Sequence, residues 1–414
     1  MTHAATIPHG LLDELAAWDE NDGPEYFPYE AVMSCFRRHG KHFAPEPLLR
    51  RLASVRRSLA PAAGARRDRA PLDDFLAVAL DKWDGTYTYS SYLGLGLFGL
   101  TPEADAATGR RQRERWFGPL LADLRAFELG ARDGTHDRLP ERRPDAALTR
   151  KRLALLDAAL SAATPPDPDP AGPPRDPART AAALLAGAPD DLLLRLSLSI
   201  QPVFVVHDEY MFIRVLQAFE VTFAAMAAEM RDAVAAAARD DAENAAAGIV
   251  RCAETLSAVR GLFSLLATMK PDSFQIFRAY TVGASAIQSE AYKTFETYCS
   301  APSPRRLESP AYGEVPRVRD RVEAGWSDVS SLIKDSMIRR AIDEHEITLV
   351  REAAAELERV HQRWKRTHWK MASRMIGAEV GTGYTEGVPY LRDALDNRLF
   401  TGPLASDDPG APHA

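Results

Sequence analysis

Through the second half of the chain the hydrophobic positions recur at the helical period, with almost no alternation of the kind that strands need. From Asp190 onward the run LLLRLSLSIQPVFVVHDEYMFIRVLQAFEVTFAAMAAEM places Phe212, Leu216, Phe219 and Phe223 at i, i+4, i+7 and i+11, on one side of a long helix. That side is expected to be buried. A second helix, roughly Ala242 to Met269, carries Ile249, Leu256, Val259 and Phe263. Pro271 then opens a short helix with Phe274, Phe277 and Arg278, and Ala284 to Tyr298 forms another. After a proline-rich loop, Ala301 to Pro316, long helices are expected from Arg317 to about Ile376.

The first half is less regular. PEYFPYEAVMSCF and PLLRRLASVRRSL read as short amphipathic helices, and Ala60 to Arg69 as a small-residue and arginine linker. DGTYTYSSYLGLGLFGL sets Tyr87, Tyr89 and Tyr92 among glycines and serines, which suits an extended hairpin, an arm on a surface, or simple half-buried packing. Residues 102 to 160 return to helical patterning around the polar run Gly134 to Pro144. Ala163 to Arg179, ATPPDPDPAGPPRDPAR, is too rich in Pro and Asp to fold alone and reads as a linker or insertion. The tail after Gly402 is expected to be disordered.

Composition narrows the classes. With 414 residues, 46% hydrophobic and 26% charged, the chain can bury one large core or two modest ones, and the fold class expected is all-α. A formal net charge of -7 gives no basic surplus for nucleic acid. Cys35, Cys252 and Cys299 have no CxxC spacing, so they are expected as reduced core thiols in a cytoplasm. No stretch approaches ~18 uninterrupted apolar residues, and no export signal opens the chain, so no membrane partner is expected. No phosphate-binding glycine loop, HExxH or GxSxG motif is present.

The candidate chemistry lies in RWKRTHWKMASRMIGAEVGTGYTEGVPYL, Arg363 to Leu391: a helix bearing His368, then a glycine-punctuated loop around Thr382. A lone histidine on an apolar face is ordinarily a satisfied core or surface residue; one axial imidazole in an all-helical site is also how heme iron is held. Arg278, one turn after Phe274, fits either a structural ion pair or a bidentate clamp for a carboxylate beside an aromatic ring. Thr382 sits among Gly377, Gly381, Gly383 and Gly387, where the backbone can approach a ligand closely.

Four segments in order, HDEYMFIRVLQAFE, TMKPDSFQIFRAY, SAIQS and RWKRTHWKMASRMIGAEVGTG, resemble the signature segments of the tryptophan 2,3-dioxygenase family, and TYTYSSYLGL is similar to that family's N-terminal arm. The resemblance covers about half the chain. It implies a helical-bundle heme protein: an N-terminal extension over 1–84, a heme-binding domain over 85–402 with its arm at 85–100 and an insertion near 163–179, and a tail from 403 to 414. Heme b would be its cofactor, with His368 the proximal iron ligand and Trp364 packed one turn before it. Arg278 would bind the substrate carboxylate and Thr382 its ammonium group. Phe212 and Phe274 would line the aromatic pocket, Ser285 would lie near the heme edge, and Tyr89, Tyr92 and Leu93 would come from the arm. The partners implied are an aromatic amino acid and O₂, in a homo-oligomer, tetramer or dimer.

The chain departs from the family at two places. Where the dioxygenases carry a distal histidine in FIxxHQ, this chain reads Phe212, Ile213, Arg214, Val215, Leu216, Gln217. Leu216 offers no acceptor to an indole N–H, a cost of roughly 1–3 kcal/mol if that donor stays buried and unpaired. The family's GTGGSSG is Gly381, Thr382, Gly383, Tyr384, Thr385, Glu386, Gly387 here. Oxygen insertion across the indole C2–C3 bond is the first expectation. A monooxygenase or peroxygenase using O₂ or H₂O₂ on a modified indole or another aromatic amino acid, in specialised metabolism, is the second, and a non-catalytic heme-binding helical module the third.

Overall fold

The computed structural model describes residues 7, 9–18, 23–59, 66–163, 176–377, 379–383 and 386–405. The fold is all-α: among the described residues there is no strand, only one isolated parallel bridge between Glu141 and Val206. The helices of eight or more residues are α1 (Tyr29–His39), α2 (Glu46–Leu59), α3 (Arg66–Ala79), α4 (Ala106–Asp133), α5 (Ala146–Ala163), α6 (Pro177–Ala186), α7 (Asp190–Leu198), α8 (His207–Ala237), α9 (Ala242–Ala258), α10 (Pro271–Arg278), α11 (Glu290–Cys299), α12 (Pro316–Glu323), α13 (Val329–Arg339) and α14 (Glu344–Ile376).

Several expectations shift. The second helix breaks after Ala258, and Gly261–Leu266 forms a separate turn, because Val259 and Arg260 leave the helical hydrogen-bond run. The linker expected over Ala60 to Arg69 shortens, since α3 begins at Arg66; residues 60–65 lie outside the described set. So do 164–175 of the proline-rich segment, 406–414 of the tail, and Tyr384 and Thr385. The tyrosine-rich stretch is neither hairpin nor extended: Tyr89–Tyr92 is a helical turn with a Thr88–Ser91 capping box, followed by a 3-10 turn at Leu95–Phe98. Helix α8 is long and apolar enough to cross a membrane, but it is buried as a core helix.

The chain divides into two compact units. The first comprises Met1–Gly99, Gly118–Gln217 and Leu265–Ala286. Its N-terminal core is continuous from Leu11 and Leu15 through Phe36, Leu52 and Phe75 to Leu97 and Leu198. Around the start of α8 the sequence HDEY is spent on anchorage. Asp208 takes Arg152 Nη2 at 2.5 Å, Glu209 takes the backbone N–H groups of Val203 (2.6 Å) and Phe204 (3.0 Å), and the Tyr210 hydroxyl donates to Asp123 at 2.6 Å. Acidic side chains in a first turn also suit the positive helix terminus.

Arg152 is wholly buried, and also donates to Glu128 (3.0 Å) and Thr268 (3.0 Å). Arg152→Met would leave two buried carboxylates without their cation, so a loss of about 3–5 kcal/mol is expected in chemical denaturation. A loss below 1 kcal/mol would show that the cluster is replaceable by packing.

The second unit comprises Leu100–Phe117, Ala218–Ser264 and Ile287–Ala414. Here α9 packs along α14, and its small residues let helices come close. A Cβ on Gly248 would stand 3.0 Å from the Ala233 Cβ of α8. Asp343 and Glu346 form a capping box that starts α14, and Gly377, with φ of 56°, ends it. The three cysteines are buried thiols, as small core residues should be.

Candidate functional site

In the second unit His368 lies near the end of α14, half-buried against an aromatic wall. Its ring is 6.1 Å from Phe263 and nearly parallel to it at 18°, and 5.6 Å from Trp364. Phe219, Phe223 and Tyr292 pack on Trp364 at 6.1, 5.6 and 5.7 Å, which fixes the indole under the imidazole's own turn. Desolvation alone pushes the His368 pKa down to about 4, so the ring is neutral near pH 7, the form that ligates a metal. The indole N–H groups of Trp364 and Trp369 are buried without a hydrogen-bond partner among the described residues. Orphaned donors of this kind ask for an acceptor that the polypeptide does not supply.

A second imidazole, His361, sits two turns earlier and is already engaged. The Tyr292 hydroxyl is 2.7 Å from its Nε2, and burial and neighbouring Lys365 hold its pKa well below the histidine range. Among the described residues no three His, Cys, Asp or Glu side chains come together as a metal set. Ligation through His368 therefore needs a group bringing its own donors.

Apart from Thr382, which belongs to the second unit, the other candidates lie in the first. Phe212 of α8 lies 5.6 Å from Phe274 and 5.4 Å from Phe277, and these two rings meet edge-on at 5.4 Å. Phe277 is fully buried while Phe212 and Phe274 are half-buried, so one ring anchors and two present a face. Arg278 ends α10, half-buried, on the same side as Phe274; a cation there suits the negative helix terminus. Leu216, one turn beyond Phe212, is likewise half-buried, as is Ser285 in the turn after Ala284. The expectation of a fully buried stripe thus holds for Phe219 and Phe223 and not for Phe212 and Leu216, whose side of the helix is not closed over.

Tyr89, Tyr92 and Leu93 are buried within their own unit. The Tyr92 hydroxyl donates to Glu209 at 3.3 Å, and Gln217 Nε2 donates to the Leu93 carbonyl at 2.7 Å. Gly94 needs its left-handed backbone (φ 60°), and a Cβ there would stand 3.0 Å from the Ser199 backbone. Burial outweighs the two N–H donors and raises the Glu209 pKa to about 8. The sequence signals for Glu209 and Gln217 are their places in HDEY and VLQ, which periodicity alone does not distinguish from packing. Thr382 is half-buried in the loop between Gly377 and Gly387. That loop folds tightly: Gly387 has φ of 75°, and a Cβ on it would meet the Glu379 carbonyl at 2.5 Å.

No protein-family model matches the chain. Among curated proteins it is similar to the tryptophan 2,3-dioxygenase of Anaeromyxobacter dehalogenans (strain 2CP-C), 28% identical over 257 residues, which are 54% of this chain and 96% of that protein. The tryptophan 2,3-dioxygenase of Polaromonas naphthalenivorans (strain CJ2) is 27% identical over 234 residues, 48% of this chain and 83% of its own. That of Bacillus anthracis is 25% identical over 229 residues, 47% and 81% respectively.

Proposed function

We propose that this chain, a divergent member of the tryptophan 2,3-dioxygenase family, is a heme-dependent oxidoreductase that inserts oxygen across the indole C2–C3 bond of L-tryptophan or a close aromatic amino acid. The observation that carries this reading is His368, a neutral imidazole on an aromatic wall, which the resemblance would make the iron ligand. Heme, when bound, supplies the redox chemistry toward O₂. The polypeptide contributes ligation, orientation and exclusion of water.

His368 would hold the iron through a ring nitrogen, with Trp364 and Phe263 keeping the imidazole from turning. Arg278 would take the substrate carboxylate through two N–H donors, and Thr382 would accept from the ammonium group. Phe212 and Phe274 would flank the indole. Ser285 would stand at the heme edge, and Tyr89, Tyr92 and Leu93, buried within their own unit, would brace Glu209 and Gln217 of α8 rather than reach into a second subunit. A monooxygenase or peroxygenase chemistry gains no support from the three relatives named above, each a dioxygenase by name.

The test is spectroscopic. Anaerobic ferrous protein loaded with hemin is expected to show a Soret band that L-tryptophan perturbs in a saturable way; a chain that takes up no heme would overturn the reading.

Leu216 adds a specificity expectation. A pocket wall that hydrogen-bonds nothing discriminates against one added methyl by only ~10–200-fold, whereas a site built around the N–H rejects the modified analogue by ~10⁴-fold or more. N1-methyl-tryptophan is therefore expected to be turned over with kcat/KM within about 10²-fold of tryptophan. Strict rejection would mean that another acceptor takes the indole N–H.

A further inference from the structure

The first unit contains an open cleft of about 670 Å³ that none of the oxygenase residues lines. Its walls are apolar, with Ala122 and Ala126 from α4, Ala182 and Leu185 from α6, and Leu193 and Leu196 from α7. Its polar end is cationic. Arg37 is only 4% exposed; its Nη2 donates to the Ser197 carbonyl (2.8 Å) and hydroxyl (2.9 Å), while Nε and Nη1 are buried with no hydrogen-bond partner. The Glu30 carboxylate stands 3.7 Å from Nη1, on an exposed side chain. Arg138 is half-buried beside it in the same lining.

The acidic group of the cleft is already used. Asp123 accepts from the Tyr210 hydroxyl at 2.6 Å and from Arg214 Nε at 2.7 Å, and Arg125 is paired with Asp157. A buried guanidinium with unmet donors is costly unless something accepts from them. The volume lies within the range of small-molecule sites.

We propose that this cleft binds a small organic monocarboxylate with an apolar body. The carboxylate accepts from the half-buried Arg138, the buried Arg37 guanidinium adds its positive charge to that end of the cleft, and the body lies along the alanine and leucine walls. Nothing in this assignment rests on the oxygenase reading.

The probes are decanoate and 1-decanol, titrated calorimetrically into the full chain. Decanoate is expected to bind with one-to-one stoichiometry and at least tenfold more tightly than decanol. Arg138→Gln is expected to weaken decanoate at least tenfold, and Ala126→Trp, at a solvent-accessible wall position, to abolish its binding by filling the cleft. Arg278→Ala should leave it unchanged. No decanoate binding, equal affinity for decanol, an unaltered Ala126→Trp, or loss of binding in Arg278→Ala would each overturn the proposal.

Discussion

Protein carrying His368→Ala is expected to be purified without stable heme, with no Soret band after hemin loading and desalting. Activity should fall further than the ~10–100-fold that losing an outer-shell partner of a metal ligand costs. The reasoning is local. His368 is the imidazole whose pKa is lowered by desolvation alone, and His361, the neighbouring alternative, spends its Nε2 on the Tyr292 hydroxyl at 2.7 Å. The alanine also leaves the Phe263 and Trp364 rings in place, so added imidazole is expected to restore part of the Soret band. Heme uptake unchanged by His368→Ala would assign the ligand elsewhere.

Arg278→Ala is expected to leave the heme spectrum intact and to raise KM for L-tryptophan by roughly 10²-fold or more. Charge-assisted hydrogen bonds contribute ~1.5–3 kcal/mol each, and a bidentate clamp holds two. Arg278→Lys should recover only part of the loss, since a point charge cannot reproduce the planar fork. Steady-state kinetics with tryptophan and with tryptamine, which lacks the carboxylate, separate the effects: the variant should lose its preference for the acid. An unchanged preference would make Arg278 a structural cation.

The all-helical class and most helices were legible because amphipathic spacing is strong in α1, α2, α9 and α14 and because Pro271 marks a helix start on its own; the Asp343 cap that separates α14 from α13 went unread within the long helical stretch expected from Arg317. Periodicity misled where tertiary context decides. The apolar run after Ala258 continues the helical pattern, yet the backbone breaks at Val259. The stripe through Phe212 and Leu216 has the spacing of core, yet both are half-buried, and no one-dimensional pattern separates a wall facing core from a wall facing a pocket. His368 could be singled out only with the family's ordered segments beside it. Its aromatic wall comes from Phe263, Trp364 and, behind them, Phe219 and Phe223, residues far apart in sequence whose meeting the pattern does not state. Glu209 and Arg37 were invisible for the same reason: each takes its character from burial that other segments impose.

The most direct test of the central claim is isotopic. Heme-loaded protein, reduced anaerobically, is given L-tryptophan and then ¹⁸O₂, and the product is weighed by mass spectrometry. Incorporation of both labelled atoms into a ring-opened indole product is the predicted result. A product carrying one label, or turnover supported by H₂O₂ and not by O₂, would contradict it.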